Sequence, residues 1–336
     1  MKTVRAHRTT FGPGQGILLL LALLAGAATN AAPAGDGWVV AHRGLGKRDL
    51  NAVYFVDPKW GWVAGDGGLI LHTEDGGLTW AQQSIATADS INDLYFRDRE
   101  NGFLLAGSRI FSTHDSGATW IESRHFLPTD FGGGTLELYS VRFASKKKGW
   151  VVGSISRRDT VIDSLVLFTN DGGASWQRQI VPTRRELIHL DFANDKRGWI
   201  VGAAGVVLHT RDGGAEWVAQ RTDTKAALYH VNFRNDEVGW AVGDGGTIIR
   251  TIDGGDSWIT VHEPGLLRAT LLSVRFVSDD EGWIIGRGGV ILRSDDGGRT
   301  WIRQESQTTQ NLFALFIDKK RCWAVGTGGL ILRYDR

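Results

Sequence analysis

One cysteine, one methionine and six prolines stand among 336 residues. Cys322 on its own forms no intrachain disulfide, and a multi-cysteine metal site is excluded. No His-x-x-x-His pair and no run of clustered carboxylates supplies another ligand set, so neither a metal nor a cofactor is expected. An excess of one charge is lacking too: 38 basic against 37 acidic residues give a formal net charge of +1. Lys2, Arg5 and Arg8 supply three positive charges in residues 1–32, which hold no acid, so the rest of the chain carries −2. Such a body sets up no overall field for nucleic acid or an anionic membrane. Any electrostatic recognition is therefore local. Helical periodicity is missing after residue 32.

Residues 1–32 read as an export signal that is cleaved: a basic start, an apolar run from Ile17 to Leu24, then small residues at 25–27 and 31–32. The run is short for a bilayer span, although retention as an anchor with peripheral membrane contact stays open. No cysteine lies near the cleavage region, which argues against a lipoprotein. The expected location is a periplasmic or thylakoid-lumen-like space, or the exterior.

Glycine, in contrast, is abundant, with 45 residues or about 13% of the chain, roughly twice the usual share. It follows no three-residue period, so collagen is excluded. The 14 tryptophans explain the excess by recurring with it. The phrase Gly61-Trp62-Val63-Ala64-Gly65-Asp66-Gly67-Gly68-Leu69-Ile70-Leu71-His72-Thr73 returns around Trp150, Trp199, Trp240, Trp283 and Trp323, with Phe103 in the same slot. A second phrase, Thr73-Glu74-Asp75-Gly76-Gly77-Leu78-Thr79-Trp80, recurs ending at Trp120, Trp176, Trp217, Trp258 and Trp301. Before each Gly-Trp lies an apolar segment such as Leu271-Leu272-Ser273-Val274-Arg275-Phe276, in which residues two apart share a face. Seven units of 40–50 residues rich in strand formers predict an all-β, seven-bladed propeller over residues 37–336. In each blade strand A is the Leu-to-Phe segment, B the Gly-Trp segment, C the Ile-Leu-His segment, and D starts at the second tryptophan. The seventh unit stops before its own strand D, while Trp38-Val39-Val40-Ala41 precedes the first strand A. The ring is therefore expected to close with the N-terminal strand completing the last blade, which removes exposed sheet edges. Trp60 alone finds no place in this scheme.

The second phrase resembles the Asp-box of sialidase-like propellers. Asp75, Asp115, Asp171, Asp212, Asp253 and Asp296 can accept turn N–H groups. The glycine adopts positive φ, and the tryptophan packs between blades. Six equivalent turns spread around a ring gather in no single cavity, so these aspartates are expected to be structural. A sialidase would also need an arginine cluster, a tyrosine–glutamate pair and a Phe-Arg-x-Pro segment. No proline lies in such a segment, and nothing pairs Glu137 with Tyr139 across a cavity. The loops at 65–68 and 243–246 lack the lysine and helix of a phosphate cradle. No catalytic residue is assigned and no enzyme is expected.

Leu-x-x-Val-x-Phe followed by Gly-Trp-x-Val-Gly-x-Gly-Gly-x-Ile-x-x-Thr-x-Asp-Gly-Gly-x-x-Trp resembles the photosystem II assembly and stability factor family over residues 38–336, most closely from Trp240 to Trp258. The resemblance implies a seven-bladed propeller that binds protein and chaperones nascent subunits of a membrane complex. A glycan-directed propeller, lectin or sialidase-like hydrolase, is the alternative. A monomer that takes no nucleic acid is expected.

Alternating strands place B–C and D–A connections on one face. The segments 124–135 and 154–164 are long for the repeat and are expected as loops; the next D–A loop carries Arg184-Arg185-Glu186. Long loops on a rigid scaffold are where function concentrates. Arg157, Arg158, Arg184 and Arg185, with Tyr139 and Phe131, are therefore the expected partner-binding residues. The opposite face carries Lys146-Lys147-Lys148, Lys319-Lys320-Arg321 and acidic turns at 236–237 and 279–281, all read as solvated. The residue before each strand-A phenylalanine (Tyr54, Tyr95, Arg142, Asp191, Asn232, Arg275, Phe316) either lines the channel or packs between blades, and none is selected.

Overall fold

A computed structural model describes residues 37–43, 47–262 and 269–335. The expected leader lies outside them. Seven four-stranded antiparallel sheets follow one another, with strands A to D of blade 1 at Leu50–Phe55, Gly61–Gly65, Leu69–Thr73 and Ala81–Gln83. Blade 7 draws its outer strand from the other end of the chain. Val39–His42 pairs antiparallel with Leu330–Asp335, Val39 opposite Arg333 and Val40 opposite Leu332. Trp38 is 1% exposed, with its ring 5.5 Å edge-on from Trp283. Trp60 is half-buried and packs beside His72, with Arg99 over its ring.

Why the Gly-Trp and strand-A phrases travel together is visible at five of the seven blade boundaries. The strand-A phenylalanine lies flat on the strand-B tryptophan of the preceding blade: Phe96 on Trp62 at 3.6 Å, Phe233 on Trp199 at 3.4 Å, Phe276 on Trp240 at 3.5 Å. Phe55 on Trp323 at 4.0 Å carries the same contact across the closure. Within its own blade that phenylalanine covers the glycine before the next tryptophan. A Cβ on Gly61 would sit 2.3 Å from the Phe55 ring, so only glycine admits the aromatic residue. Blade 7 departs in both members at once, with Ile317 opposite Cys322. The smaller aliphatic side chain leaves room for a thiol, and Cys322 is fully buried.

The Asp-box turns divide their labour differently from the sequence expectation. In blade 5 the buried hydroxyl of Thr251 accepts the N–H of Gly255 at 2.8 Å and donates to Asp253 Oδ1 at 2.7 Å. Asp253 itself is exposed and takes the Ser257 N–H and hydroxyl at 2.9 and 2.6 Å. The threonine, not the aspartate, satisfies the buried donor. Hydrogen bonds to the charged form still outweigh desolvation and hold Asp253 and Asp296 down to about 2, below the ordinary 3.8.

Blade 3 corrects one expectation. Residues 154–164 form no loop: strands B (Gly149–Arg157) and C (Thr160–Thr169) continue as a paired hairpin, turning at Arg158 and Asp159 with φ of 50° and 61°. Strand A is lengthened to match, Thr135–Phe143, so three strands rise together. The loop expected at 124–135 is shortened by strand D, Ile121–His125, and folded by a single turn at Pro128–Phe131. Apolar Leu136, Leu138, Ile155 and Leu165 supply the reason: they bury into one cluster with Phe126, and Phe131 packs against it.

Two outcomes test these assignments. Trp38→Ala should lower stability by about 3–5 kcal/mol, and deleting residues 33–45 should leave an aggregating chain; a deletion variant that stays monomeric with an unchanged melting temperature overturns the closure. Thr251→Val should cost about 1–3 kcal/mol by stranding a buried N–H, against about 1 kcal/mol or less for Asp253→Ala. Because the Asp253 carboxylate stabilises only while ionised, the gap between wild type and Asp253→Ala should close as pH falls from 3.8 through about 2. Melting curves across that range measure both.

Candidate functional site

The hairpin of blade 3 and the loop that follows its strand D stand at the same end of the ring. Strand B leads up to Arg157, and Arg158 occupies the turn. Arg157 Nη2 donates to the Gly132 carbonyl at 2.7 Å, tying the tip to the turn that carries Phe131. Phe131 lies 6.2 Å from Phe126, with the Arg178 guanidinium 5.6 Å over its ring. At the root of the hairpin the Ser164 hydroxyl lies 2.9 Å from the Thr183 carbonyl and 2.8 Å from that of Arg185. Ser164 is opposite Ser154, three residues below Arg157, which sets root and tip about 10 Å apart. Arg157, Arg158, Arg184 and Arg185 are all exposed.

Tyr139 belongs to the same corner but faces inward. It falls at a bulge between Leu138 and Ser140, one of the register shifts that occur near the start of every strand A. Its hydroxyl donates to Glu186 Oε1 at 2.8 Å and lies 3.3 Å from Ser154 Oγ. Burial first, then Glu186, pushes this phenol above its ordinary range, so it acts as a neutral donor. Glu137 accepts from Asn92 at 2.6 Å rather than facing Tyr139. Of the nearby acids, Glu186 accepts from Tyr139, Glu137 accepts from Asn92 and Asp163 pairs with Arg178 at 2.7 Å, while Asp159 is exposed in the turn beside Arg158. None of the four exposed arginines makes an ion pair among the described residues, so their guanidinium groups are open to an incoming acid.

The inner ring, from which the sequence selects no residue, carries a polar chain that crosses blade boundaries and packs between blades. Asp93 Oδ2 accepts from Ser140 Oγ, the Val141 N–H and Arg142 Nη1 at 3.0, 3.0 and 2.7 Å. Arg142 Nη2 reaches His189 Nε2 at 3.1 Å, and His189 stacks on His230 at 3.7 Å. Asp191 accepts from the Phe233 N–H at 2.8 Å and Asn232 at 3.2 Å, while Asn232 Oδ1 takes the Phe276 N–H. Burial, followed for His189 by its neighbour His230, holds both imidazoles well below their ordinary range and therefore neutral. The other side of the ring is aromatic, with Tyr54 between Tyr95 and Phe316 at 5.3 and 5.6 Å. The signal for this collar was the alternation along strand A, which aligns positions 93, 140, 189 and 230 in adjacent blades. Chemically the collar is a cross-blade clamp: each carboxylate is spent on donors of the next blade. Among the described residues no group of three His, Cys, Asp or Glu side chains is set to hold a metal ion.

Comparison with known proteins follows the same repeat. The model of the family described as photosynthesis system II assembly factor YCF48 matches residues 79–179, 134–226, 174–269, 215–310 and 267–335 in overlapping stretches. Photosystem II assembly lipoprotein Ycf48 of Synechococcus sp. (strain CC9902) is 26% identical over 132 residues, 38% of this chain and only 36% of that relative's length. Among solved structures, YCF48 bound to D1 peptide superposes with a TM-score of 0.73 at 20% identity, over 90% of this chain and 97% of that one. Virginiamycin B lyase from Staphylococcus aureus reaches the same TM-score at 12% identity, over 89% and 98%. These two superpositions show a shared fold; the match of the family's own repeat is what decides membership. With that repeat matched from residue 79 to residue 335, the chain belongs to the photosystem II assembly factor YCF48 family.

Proposed function

We propose that this protein is an exported, non-catalytic propeller that captures a protein segment of a membrane complex during assembly, at the basic corner of blades 3 and 4. The observation that carries the reading is the set of four exposed arginines that make no ion pair among the described residues, two on the lengthened B–C hairpin of blade 3 and two on the loop at its root. Guanidinium groups bind carboxylates bidentately, and Phe131 supplies an adjacent apolar edge of the kind that anchors interfaces. The family supports the reading, since one relative's structure is that of YCF48 bound to D1 peptide. A glycan hydrolase would need two carboxylates free to face a pocket, whereas Asp93 and Asp191 are each engaged by neighbouring donors. Export, monomeric state and the contribution of each named residue belong to this proposal.

Binding of a D1-type peptide, and capture of partners from native membrane extract, test it. Reversing Arg157 and Arg158 to glutamate should weaken binding at least tenfold, about 1.4 kcal/mol. Reversing Lys319 and Lys320, in the A–B turn of blade 7 on the other face, should change it less than twofold. Melting temperatures should hardly move in either variant, because exposed substitutions stay within about 0.5 kcal/mol. Binding that survives the first reversal removes the corner from the function.

A further inference from the structure

The seven repeats provide an internal standard for one side-chain slot: the strand-C residue opposite the strand-B tryptophan. Aromatic or cationic groups fill it in most blades. His72 and His209 stack on Trp62 and Trp199, and Arg250 and Arg293 lie 5.9 and 5.3 Å over Trp240 and Trp283. Where the residue is arginine in blades 6 and 7, the chain supplies a carboxylate two positions later. Asp295 Oδ1 accepts from Arg293 Nε and Nη2 at 3.0 and 2.9 Å, and Asp335 lies 3.0 Å from Arg333 Nη2. Blade 6 adds Glu281 at 3.7 Å from the same guanidinium.

Blade 5 keeps the arginine and lacks both acids. The position of Asp295 is held by Ile252, 55% exposed, and that of Glu281 by Val238. Arg250 therefore has no hydrogen-bond or ion-pair partner among the described residues, and its Nε is buried without one. Around it opens a cavity of about 270 Å³, lined among others by Arg250, Arg299, His262, Thr260, Ile252 and Ile259, and by no acid among the described residues. The carboxylate of Asp296 acts on Arg250 only through space, because its oxygens accept from Ser294, Thr300 and the Arg299 N–H of its own turn. Desolvation, reinforced by Arg299 and only partly offset by Asp296, lowers the pKa of Arg250.

We propose that this pocket on the outer part of blade 5 is a binding site for a carboxylate carried on a small apolar group, supplied in trans where blades 6 and 7 supply their own aspartate. The neighbouring blades show that the slot accepts a carboxylate on this arginine, and Ile252 and Ile259 line it with apolar surface for the attached group. A free organic acid and the C-terminus of a peptide ending in an aliphatic residue share this chemistry. The site is separate from the blade 3 hairpin, so its failure and that of the protein-capture reading are distinguishable.

Titration calorimetry with isovalerate against isovaleramide, and with acetyl-Ala-Val against its C-terminal amide, tests it. At least one acid should bind wild type with a dissociation constant on the order of 1 mM or tighter, and its amide at least tenfold more weakly; which acid binds names the source. Arg250→Gln and Ile252→Asp should each weaken that binding at least tenfold. Ile252→Asp restores the pair seen in blades 6 and 7, so it should melt no lower than wild type and serves if Arg250→Gln fails to fold. Wild type that prefers neither acid over its amide, or binding that persists in both variants, overturns the proposal.

Discussion

A flat aromatic side chain lying on the indole of the preceding blade is the contact on which the ring depends. It joins strand A of one blade to strand B of the one before it, so no blade buries its own tryptophan alone. Burying two large rings together gives area and geometry at once, since stacked and edge-on aromatic pairs add to simple burial. Glycine before each tryptophan is the condition for that contact, because any Cβ would strike the ring above it. Six of the 45 glycines (Gly61, Gly102, Gly149, Gly198, Gly239 and Gly282) answer this packing requirement, whereas 23 take positive φ in turns. Blade 7 obeys the same rule from the other side, with isoleucine and cysteine replacing phenylalanine and glycine together.

On this scaffold specialisation is a matter of departures. The repeat holds seven blades in one conformation, so that any difference between equivalent positions marks something the fold did not require. Blade 3 lengthens three strands together and presents arginines at their end. Blades 2 to 5 place Asp93, Ser140, His189 and His230 where blades 1 and 7 carry alanine, and blades 3 and 4 place Arg142 and Asp191 where those two carry Tyr54 and Phe316. The inner ring therefore has a polar arc and an aromatic arc, and the polar arc fastens consecutive blades by hydrogen bonds to backbone N–H groups. A buried polar group of this kind specifies arrangement more than it stabilises, because its desolvation offsets much of the gain.

The blade number, the strand order and the closing strand were legible in the sequence because Trp38 and the truncated last unit fit a single ring. The hairpin of blade 3 is not, since extra length between repeats signals a loop, and only burial shows that Leu136, Leu138, Ile155 and Leu165 share one apolar face. The aspartates of the Asp-box were read as the satisfiers of the turn, whereas the buried oxygen is the threonine's; burial, which decides between two adjacent acceptors, is not written in a motif. The collar of Asp93, Arg142 and His189 lies in residues nearly fifty positions apart. Only their common place on strand A could have joined them.

Cys322, the sole cysteine, is fully buried in the blade whose outer strand comes from the far end of the chain. A thiol in that place is a native clock for the closure. An external thiol reagent reaches it only when blade 7 opens locally, so the rate of its modification reports the free energy of that opening without any introduced label. The Ile317–Cys322 pair, standing where other blades carry phenylalanine and glycine, thereby gives the closing blade a chemical reporter.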